Sequence, residues 1–187
     1  IMGRYTVISD VGSTLVNLLR ENMVPEPVLQ PEMIGLASPA DKGDLRLSLF
    51  LYNIVESGDL RNNQLQVSES GLLQYPPMSL NLYYMLTAYS SSELSSRALD
   101  EQRILGKAMQ VFFDNSIIRG SALQGTLREK NEEVKIVMDN IPVDILIKLW
   151  NFPNIPYKLS VSYLVGPIYL DSTRTKQTKR VMEINGG

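Results

Sequence analysis

The chain has 187 residues, with 18 Lys plus Arg and 20 Asp plus Glu, so its net charge is −2; without a basic excess it is not expected to be a dedicated nucleic-acid-binding protein. It contains no Cys and no His, which excludes a disulfide framework and removes the commonest general base and metal ligand. No apolar run is as long as a membrane-spanning helix requires, so none is predicted.

The first third of the chain is predicted to form a helix followed by two strands. Apolar residues at three- and four-residue spacing predict an amphipathic helix over 5–21. A short edge strand is expected over 33–37. Alternating side chains, apolar on both faces, then predict a long central strand over 45–57.

Residues 75–89 are predicted to form the strand around which the sheet is organised. Pro76 and Pro77 fix its entry, and every second residue is then apolar over a length typical of a buried strand. The side chains of one face are Leu80, Leu82, Tyr84, Leu86 and Ala88. The other face is also largely apolar, so we expect both faces to be covered and the strand to pair antiparallel with 45–57.

A helix is predicted after Ser90-Ser-Ser-Glu93, which has the pattern of a capping box. The helix is either continuous or restarts near Asp100. Its apolar stripe contains Ile104, Leu105, Ala108, Met109, Phe112 and Phe113. Residues 116–131, which follow the helix and include two glycines, are expected to form a loop.

The remaining elements are a half-buried strand over 133–138, a short helix beginning at Pro142 and a last strand over 157–170. Gly166-Pro167 interrupts that strand, which indicates a bulge or an edge position. The sum is an α+β fold: a mixed, mostly antiparallel sheet with helices packed on it. We expect one domain over 1–171 and a basic C-terminal tail over 172–187.

The tail has two interpretations. Its basic residues are Arg174, Lys176, Lys179 and Arg180. Four positive charges allow only weak, salt-dependent attraction to nucleic acid or to an acidic protein face. The alternation of Thr with Arg and Lys is also compatible with a disordered segment or an edge strand, and we favour this second interpretation.

No group of residues indicates catalysis. Carboxylates such as those of Glu132 and Glu133 lie in loops or at the ends of elements, where no pKa increase through burial is expected. No Ser lies in a nucleophile elbow, no glycine-rich loop suits a phosphate, and no acidic cluster has the spacing of a calcium loop. The sequence therefore predicts a protein that is not an enzyme and uses no cofactor and no metal.

Several segments, in their order along the chain, resemble one family. They are residues 47–55, 60–62, 76–89, 105–109, 149–150 and 157–163. Together with the opening helix, they resemble the N-terminal domain of the cap, or tail-terminator, proteins of extracellular contractile injection systems, including antifeeding-prophage-like particles. The resemblance extends from about Val7 to Leu170.

This resemblance implies a phage tail-terminator-like fold and a structural role. Such caps are rings, usually hexamers, that sit on the last layer of inner tube and contractile sheath and end their polymerisation; they often carry a further C-terminal domain. Sheath and inner-tube subunits are the implied partners, with no nucleic acid, membrane or small molecule, and assembly is expected in the cytoplasm. The alternative is a non-catalytic peptide- or ligand-binding adaptor domain that uses an exposed sheet edge.

Two contact sites are predicted on this basis. The ring interface is assigned to Arg61, Asn62 and Asn63, because a bidentate Arg can bridge to a neighbouring subunit; alternatively, Arg61 bonds local carbonyls and closes a turn. The sheath contact is assigned to the last strand and the tail, which could accept or donate a strand. Its candidate residues are Tyr163, Tyr169, Arg174, Lys176, Lys179 and Arg180.

Overall fold

The computed structural model describes residues 5–58, 66–67 and 73–176, which contain four α-helices and nine strands. The helices are α1 (Val7–Met23), α2 (Leu94–Asp114), α3 (Gly125–Glu129) and α4 (Val143–Leu149). The strands are β1 (Ile34–Leu36), β2 (Leu47–Glu56), β3 (Gln66–Val67), β4 (Leu73–Gln74), β5 (Met78–Ala88), β6 (Ile117–Arg119), β7 (Glu133–Asp139), β8 (Ser160–Leu170) and β9 (Thr175–Lys176).

Six of the strands form one sheet in the order β1-β2-β5-β8-β7-β6. Only β1 and β2 are parallel, and every other neighbouring pair in this sheet is antiparallel. The predicted fold class, a mixed and mostly antiparallel sheet with packed helices, is therefore confirmed. The strands β3, β4 and β9 form a small second sheet.

Strand β5 lies in the interior of the large sheet, as its alternating sequence predicts. It pairs antiparallel with β2 on one side and with β8 on the other. Leu82, Tyr84 and Leu86 are buried on one face, and Met85 and Thr87 are buried on the other. Both faces of β5 carry apolar side chains, and burying them from water favours packing on each side of the sheet.

The helices α1 and α2 cover one face of the sheet with their apolar stripes. The buried side chains that form these stripes include Val11, Leu15, Leu19, Ile104, Ala108 and Phe112. The Phe112 ring meets the Tyr163 ring of β8 edge-on, with 5.0 Å between ring centroids. This contact joins the end of α2 to the sheet.

The opposite face is covered in part by α4 and the segment after it. Met85, Leu146 and Trp150 form a small buried cluster there, and Phe50 and Phe152 pack against it. The Trp150 indole N–H donates to the carbonyl of Pro156 at 2.8 Å, which satisfies the buried polar atom of this ring.

The start of α2 differs from the capping box that its sequence predicts. The helix is continuous, and its N-cap residue, Glu93, makes no side-chain capping hydrogen bond. The Ser90 hydroxyl donates instead to the Asp100 carboxylate at 2.5 Å, and Arg46 approaches the same carboxylate at 3.1 Å. The Ser90 hydroxyl oxygen also accepts from the Ser92 amide at 2.9 Å, ahead of the helix, so it caps no N–H of α2.

The prediction that residues 116–131 form a loop was wrong, because this segment contains β6 and α3. Both elements are too short to produce a periodic pattern, and distant residues hold them in place. β6 pairs with β7, and the Asp10 carboxylate of α1 accepts hydrogen bonds from the Thr126 amide at 3.0 Å and its hydroxyl at 2.7 Å.

Candidate interaction surfaces

In the described part of the chain, no three or more acidic side chains are grouped where they could hold a metal ion. None of its helices combines the length and the apolar character needed to cross a bilayer. The candidate interaction surfaces are the sheet edges, the C-terminal segment and the apolar grooves.

One carboxylate departs from the expectation that all of them are ordinary surface acids. Burial raises the pKa of Glu132, and the nearby negative charge of Asp171 adds to this, while Lys130 opposes it. Lys130 itself forms an ion pair with Asp171 at 2.5 Å. These three charged side chains connect the turn before β7 to the end of β8, so their position indicates a structural contact between the two segments.

Replacing Glu132 by Gln is expected to stabilise the protein at pH 7 by up to about 0.5 kcal/mol, the scale of a surface substitution. An acid with a raised pKa in the folded state costs stability as the pH rises through and above its ordinary value of 4.5. The thermal unfolding temperatures of the two proteins should therefore differ at pH 7 and converge near pH ~3. Glu26→Gln, in an exposed loop, is the control; an equal shift there would contradict the explanation.

The outer edge of β1 is closed by a side chain of α1. Hydrogen bonds from Arg46 N to Met33 O and from Ala37 N to Leu49 O turn these residues toward β2, so the Ile34 carbonyl points outward. The Arg20 guanidinium donates to that carbonyl twice, at 3.0 and 2.7 Å. A covered edge does not recruit further strands, so strand addition is not expected at this border.

Replacing Arg20 by Met keeps the apolar stem of the side chain but removes both donors. We expect a loss of about 1–2 kcal/mol in the free energy of unfolding, because a part-buried carbonyl loses a charged partner. We also expect more self-association, since the exposed edge can pair with another chain. Urea unfolding and light scattering measure the two effects. Arg103→Met, on the exposed face of α2, should change neither; equal behaviour of both variants would refute the role of Arg20.

The C-terminal half of β8 forms an open margin of the large sheet. Leu80 lies opposite Ile168 and Leu82 opposite Val165, so Gly166 and Pro167 together oppose one residue of β5. This is a β-bulge, one of the two alternatives that the sequence predicts. Pairing with β7 ends at Val165, and within the described residues no strand pairs with the far side of 166–170. The predicted edge position therefore applies to this half of β8.

The segment after β8 folds back on its own domain. The Tyr75 amide donates to the Arg174 carbonyl at 3.3 Å, and the Gln74 side chain donates to the Ser172 carbonyl at 2.7 Å. The Arg174 guanidinium lies over the Tyr75 ring, 4.3 Å from its centroid, in a cation–π contact. Strand β9 then pairs with β4. The first residues of the predicted tail thus have strand geometry within this chain.

The structure separates the predicted contact residues. Tyr163 is only 5% exposed and packs on Phe112, so its side chain belongs largely to the core and offers little surface to a partner. Tyr169 is half-buried on the open margin, and Arg174 is exposed. Lys176 belongs to β9. Lys179, Arg180 and the predicted ring residues Arg61, Asn62 and Asn63 lie outside the described residues, so their roles stay predictions.

Two apolar grooves flank the helical layer, one near each border of the large sheet. The α2 groove, of about 620 Å³, lies between the end of α2 and β7. Its lining includes Met109, Phe113, Val137 and Met138. The α1 groove, of about 440 Å³, lies between the start of α1 and β1–β2. Its lining includes Tyr5, Ile8, Leu36 and Leu51.

The α2 groove was missed because the sequence predicts that Phe113 belongs to the buried stripe. Phe113 is 83% exposed, whereas its neighbour Phe112 is 2% exposed. Met138, which alternates along its strand with the buried Val134 and Ile136, is also exposed. The adjacent aromatic residues at a helix end were the available indication, since a helix rarely buries two successive positions equally.

Comparison with known proteins identifies similar chains. The model of the Pvc16 N-terminal domain family matches residues 10–183. A PVC sheath/tube terminator of an extracellular contractile injection system, in its extended state, is similar with a TM-score of 0.64 at 17% identity, over 91% of this chain and 58% of that one. An anti-feeding prophage cap, a tube-terminating cap, is similar with a TM-score of 0.58 at 18% identity, over 96% of this chain and 60% of that one. No curated protein matches.

The two solved structures share the fold with this chain and are longer than it. The chain spans 58% of one and 60% of the other. At 17% and 18% identity, the similarity establishes a shared arrangement of sheet and helices. It does not identify contact residues in this chain.

Proposed function

The chain belongs to the Pvc16 N-terminal domain family. We propose that it acts as a terminator cap, which ends growth of the inner tube and contractile sheath of a phage-tail-like injection particle. The observation that supports this most strongly is the extent of the likeness: 91% and 96% of the chain align with two proteins described as a sheath/tube terminator and a tube-terminating cap. The role is structural and non-catalytic, and the protein joins the particle during assembly in the cytoplasm.

The mechanism is one of shape. Tube and sheath grow by adding subunits to an exposed face, and a ring that matches this face without copying it stops the addition. A homo-hexameric ring fits this task because its closed symmetry leaves no further subunit position. The open margin at 166–170, which includes Tyr169, supports a sheath contact by strand addition, and the predicted tail residues follow this margin in the sequence.

Particle assembly with and without the protein tests this function. We expect a narrow length distribution when the protein is present and elongated or unsheathed tubes when it is absent, measured by negative-stain electron microscopy. Adding the purified protein during assembly should restore the narrow distribution. Unchanged lengths in its absence would reject the terminator role and favour an adaptor domain that binds a peptide at the same edge.

Deleting residues 172–187 is expected to abolish recruitment to sheathed particles while leaving the domain folded. The deletion removes β9 and the Arg174–Tyr75 contact but none of the six strands of the large sheet. Co-sedimentation with particles measures recruitment, and circular dichroism measures folding. A second variant with Arg174, Lys176, Lys179 and Arg180 changed to Gln separates charge from strand addition. Normal co-sedimentation of the deleted protein would rule out this contact.

A further inference from the structure

The start of β8 borders a cavity that the proposed function does not use. This cavity, the β8 notch, has a volume of about 380 Å³ and lies between the end of β7, the start of α4 and the first residues of β8. Its apolar walls and polar groups include Ile141, Leu146, Leu159, Asp139, Ser160 and Ser162. Apolar walls with a few polar groups are typical of binding sites, whose volumes are about 300–1,000 Å³. The notch therefore has the size and the lining of a binding site.

The backbone of Ser160 faces the notch without a neighbouring strand. The N–H and C=O groups of successive strand residues point alternately to the two sides of the strand. The Ile136 amide donates to the carbonyl of Ser116, just before β6, so Ile136 points toward β6 and Asp139, three residues on, points toward β8. Asp139 lies opposite Ser162, so Ser162 and Ser160 both point toward β7. Pairing with β7 begins at Ser162, and within the described residues no strand pairs with Ser160 on this side.

The Asp139 carboxylate is the charged group of the notch, and side chains of the sheet hold it in place. It accepts a hydrogen bond from the Ser162 hydroxyl at 3.2 Å, and Ser162 lies 2.8 Å from the Tyr52 hydroxyl. An ionised carboxylate can only accept, so Ser162 donates to Asp139 and Tyr52 donates to Ser162. No Lys or Arg of the described chain forms an ion pair with Asp139. The carboxylate can therefore accept from a positively charged group of another molecule.

We propose that the β8 notch binds an extended segment of a partner protein that carries a Lys or Arg side chain. The segment adds to β8 beside Ser160, bonds to the outward N–H and C=O of this residue and places its cation on Asp139. An apolar residue two positions away in the segment packs against Ile141 and Leu146, because alternate side chains of a strand point to the same face. The backbone bonds attach the segment, and the cation and the apolar residue select it.

The β8 notch is separate from the contact proposed for the sheath. It lies at the start of β8, whereas the open margin at 166–170 lies at the end, with the residues paired to β7 between them. Binding at the notch therefore rests neither on the ring nor on strand addition at the margin. Unchanged particle lengths in the absence of the protein would reject the terminator role and leave the peptide site standing. Loss of the peptide site would likewise leave the terminator role standing.

Selection from a random heptapeptide library displayed on phage tests the site. We expect enriched peptides in which an apolar residue and a Lys or Arg are two positions apart. Synthetic versions, measured by fluorescence anisotropy, should bind Asp139→Asn at least about tenfold more weakly, because the amide oxygen keeps the Ser162 contact and the charge is lost. The matched control is Asp144→Asn, an exposed carboxylate of α4 outside the lining, which should bind as the unaltered protein does. No enrichment, peptides without a cation, or equal binding by both variants would overturn the proposal.

Methylating the backbone nitrogens of a selected peptide one at a time tests strand pairing without any change to the protein. Every second methyl group should weaken binding by about tenfold or more, because alternate N–H groups of an added strand point toward β8. A uniform effect, or none, would reject strand pairing. Loss of peptide binding on deleting residues 172–187 would place the peptide at the tail. Self-association that Asp139→Asn abolishes would make the occupant a second copy, and either of these two results would also overturn the proposal.

Discussion

Replacing Phe112 by Ala should lower the free energy of unfolding by about 3–5 kcal/mol, the usual cost of removing a buried aromatic ring. Phe112 is 2% exposed, and its ring packs edge-on against Tyr163 of β8. The substitution therefore leaves a cavity between α2 and the sheet that neighbouring side chains can fill only in part. Urea unfolding followed by far-UV circular dichroism and by the fluorescence of Trp150 measures the change.

Phe113→Ala is the matched control because it removes the same atoms one residue away. Phe113 is 83% exposed, so the expected change is within about 0.5 kcal/mol. Phe113→Ala should therefore keep the stability of the unaltered protein, whereas Phe112→Ala should unfold more easily. Equal losses of stability would mean that α2 is rotated relative to the structure described here.

Prediction from the sequence succeeds for the long helices and strands. The long strands and helices were predicted within a few residues because alternation and helical spacing are local properties of the chain. The antiparallel pairing of β2 with β5 followed from two long strands that are apolar on both faces and can be covered only inside a sheet. Membership of the Pvc16 N-terminal domain family confirms the resemblance drawn from the ordered segments.

Prediction failed where the deciding contact is distant in sequence. Position 113 follows 112 by only a third of a turn, and its exposure depends on where the sheet ends, which the helix sequence does not contain. The elements β6 and α3 are held by β7 and by Asp10. Tyr163 is a different case: alternation with Val161 and Val165 already places it on the buried face, so its assignment to a partner contact overlooked a pattern that was present.

The candidate contact surfaces were predictable only in part. The open margin of β8 followed from Gly166-Pro167, because these residues disturb regular strand pairing wherever they occur. The closed edge of β1 could not be predicted, since it needs Arg20 to reach a carbonyl 14 residues away. The grooves were also out of reach, because they are formed by the ends of helices over a sheet whose width is a property of the whole fold.

Gly166→Ala should cost about 2–4 kcal/mol, from the strain of an unfavourable backbone conformation together with a steric clash. The φ angle of Gly166 is +151°, and a Cβ atom there would lie 2.9 Å from the Leu80 carbonyl oxygen. A backbone oxygen within β5 cannot move aside without breaking the pairing of the two strands. The bulge and the open margin after it should therefore shift together.

Gly106→Ala is the control that gives the opposite sign. Gly106 lies on the exposed side of α2, a Cβ there meets no atom within 4 Å, and alanine favours a helix by about 0.5–1 kcal/mol over glycine. The midpoint temperature of thermal unfolding should rise for Gly106→Ala and fall for Gly166→Ala. Only Gly166→Ala should lose co-sedimentation with sheathed particles. If Gly166→Ala loses stability but still binds particles, the margin at 166–170 is structural, and the sheath contact must be sought in the tail alone.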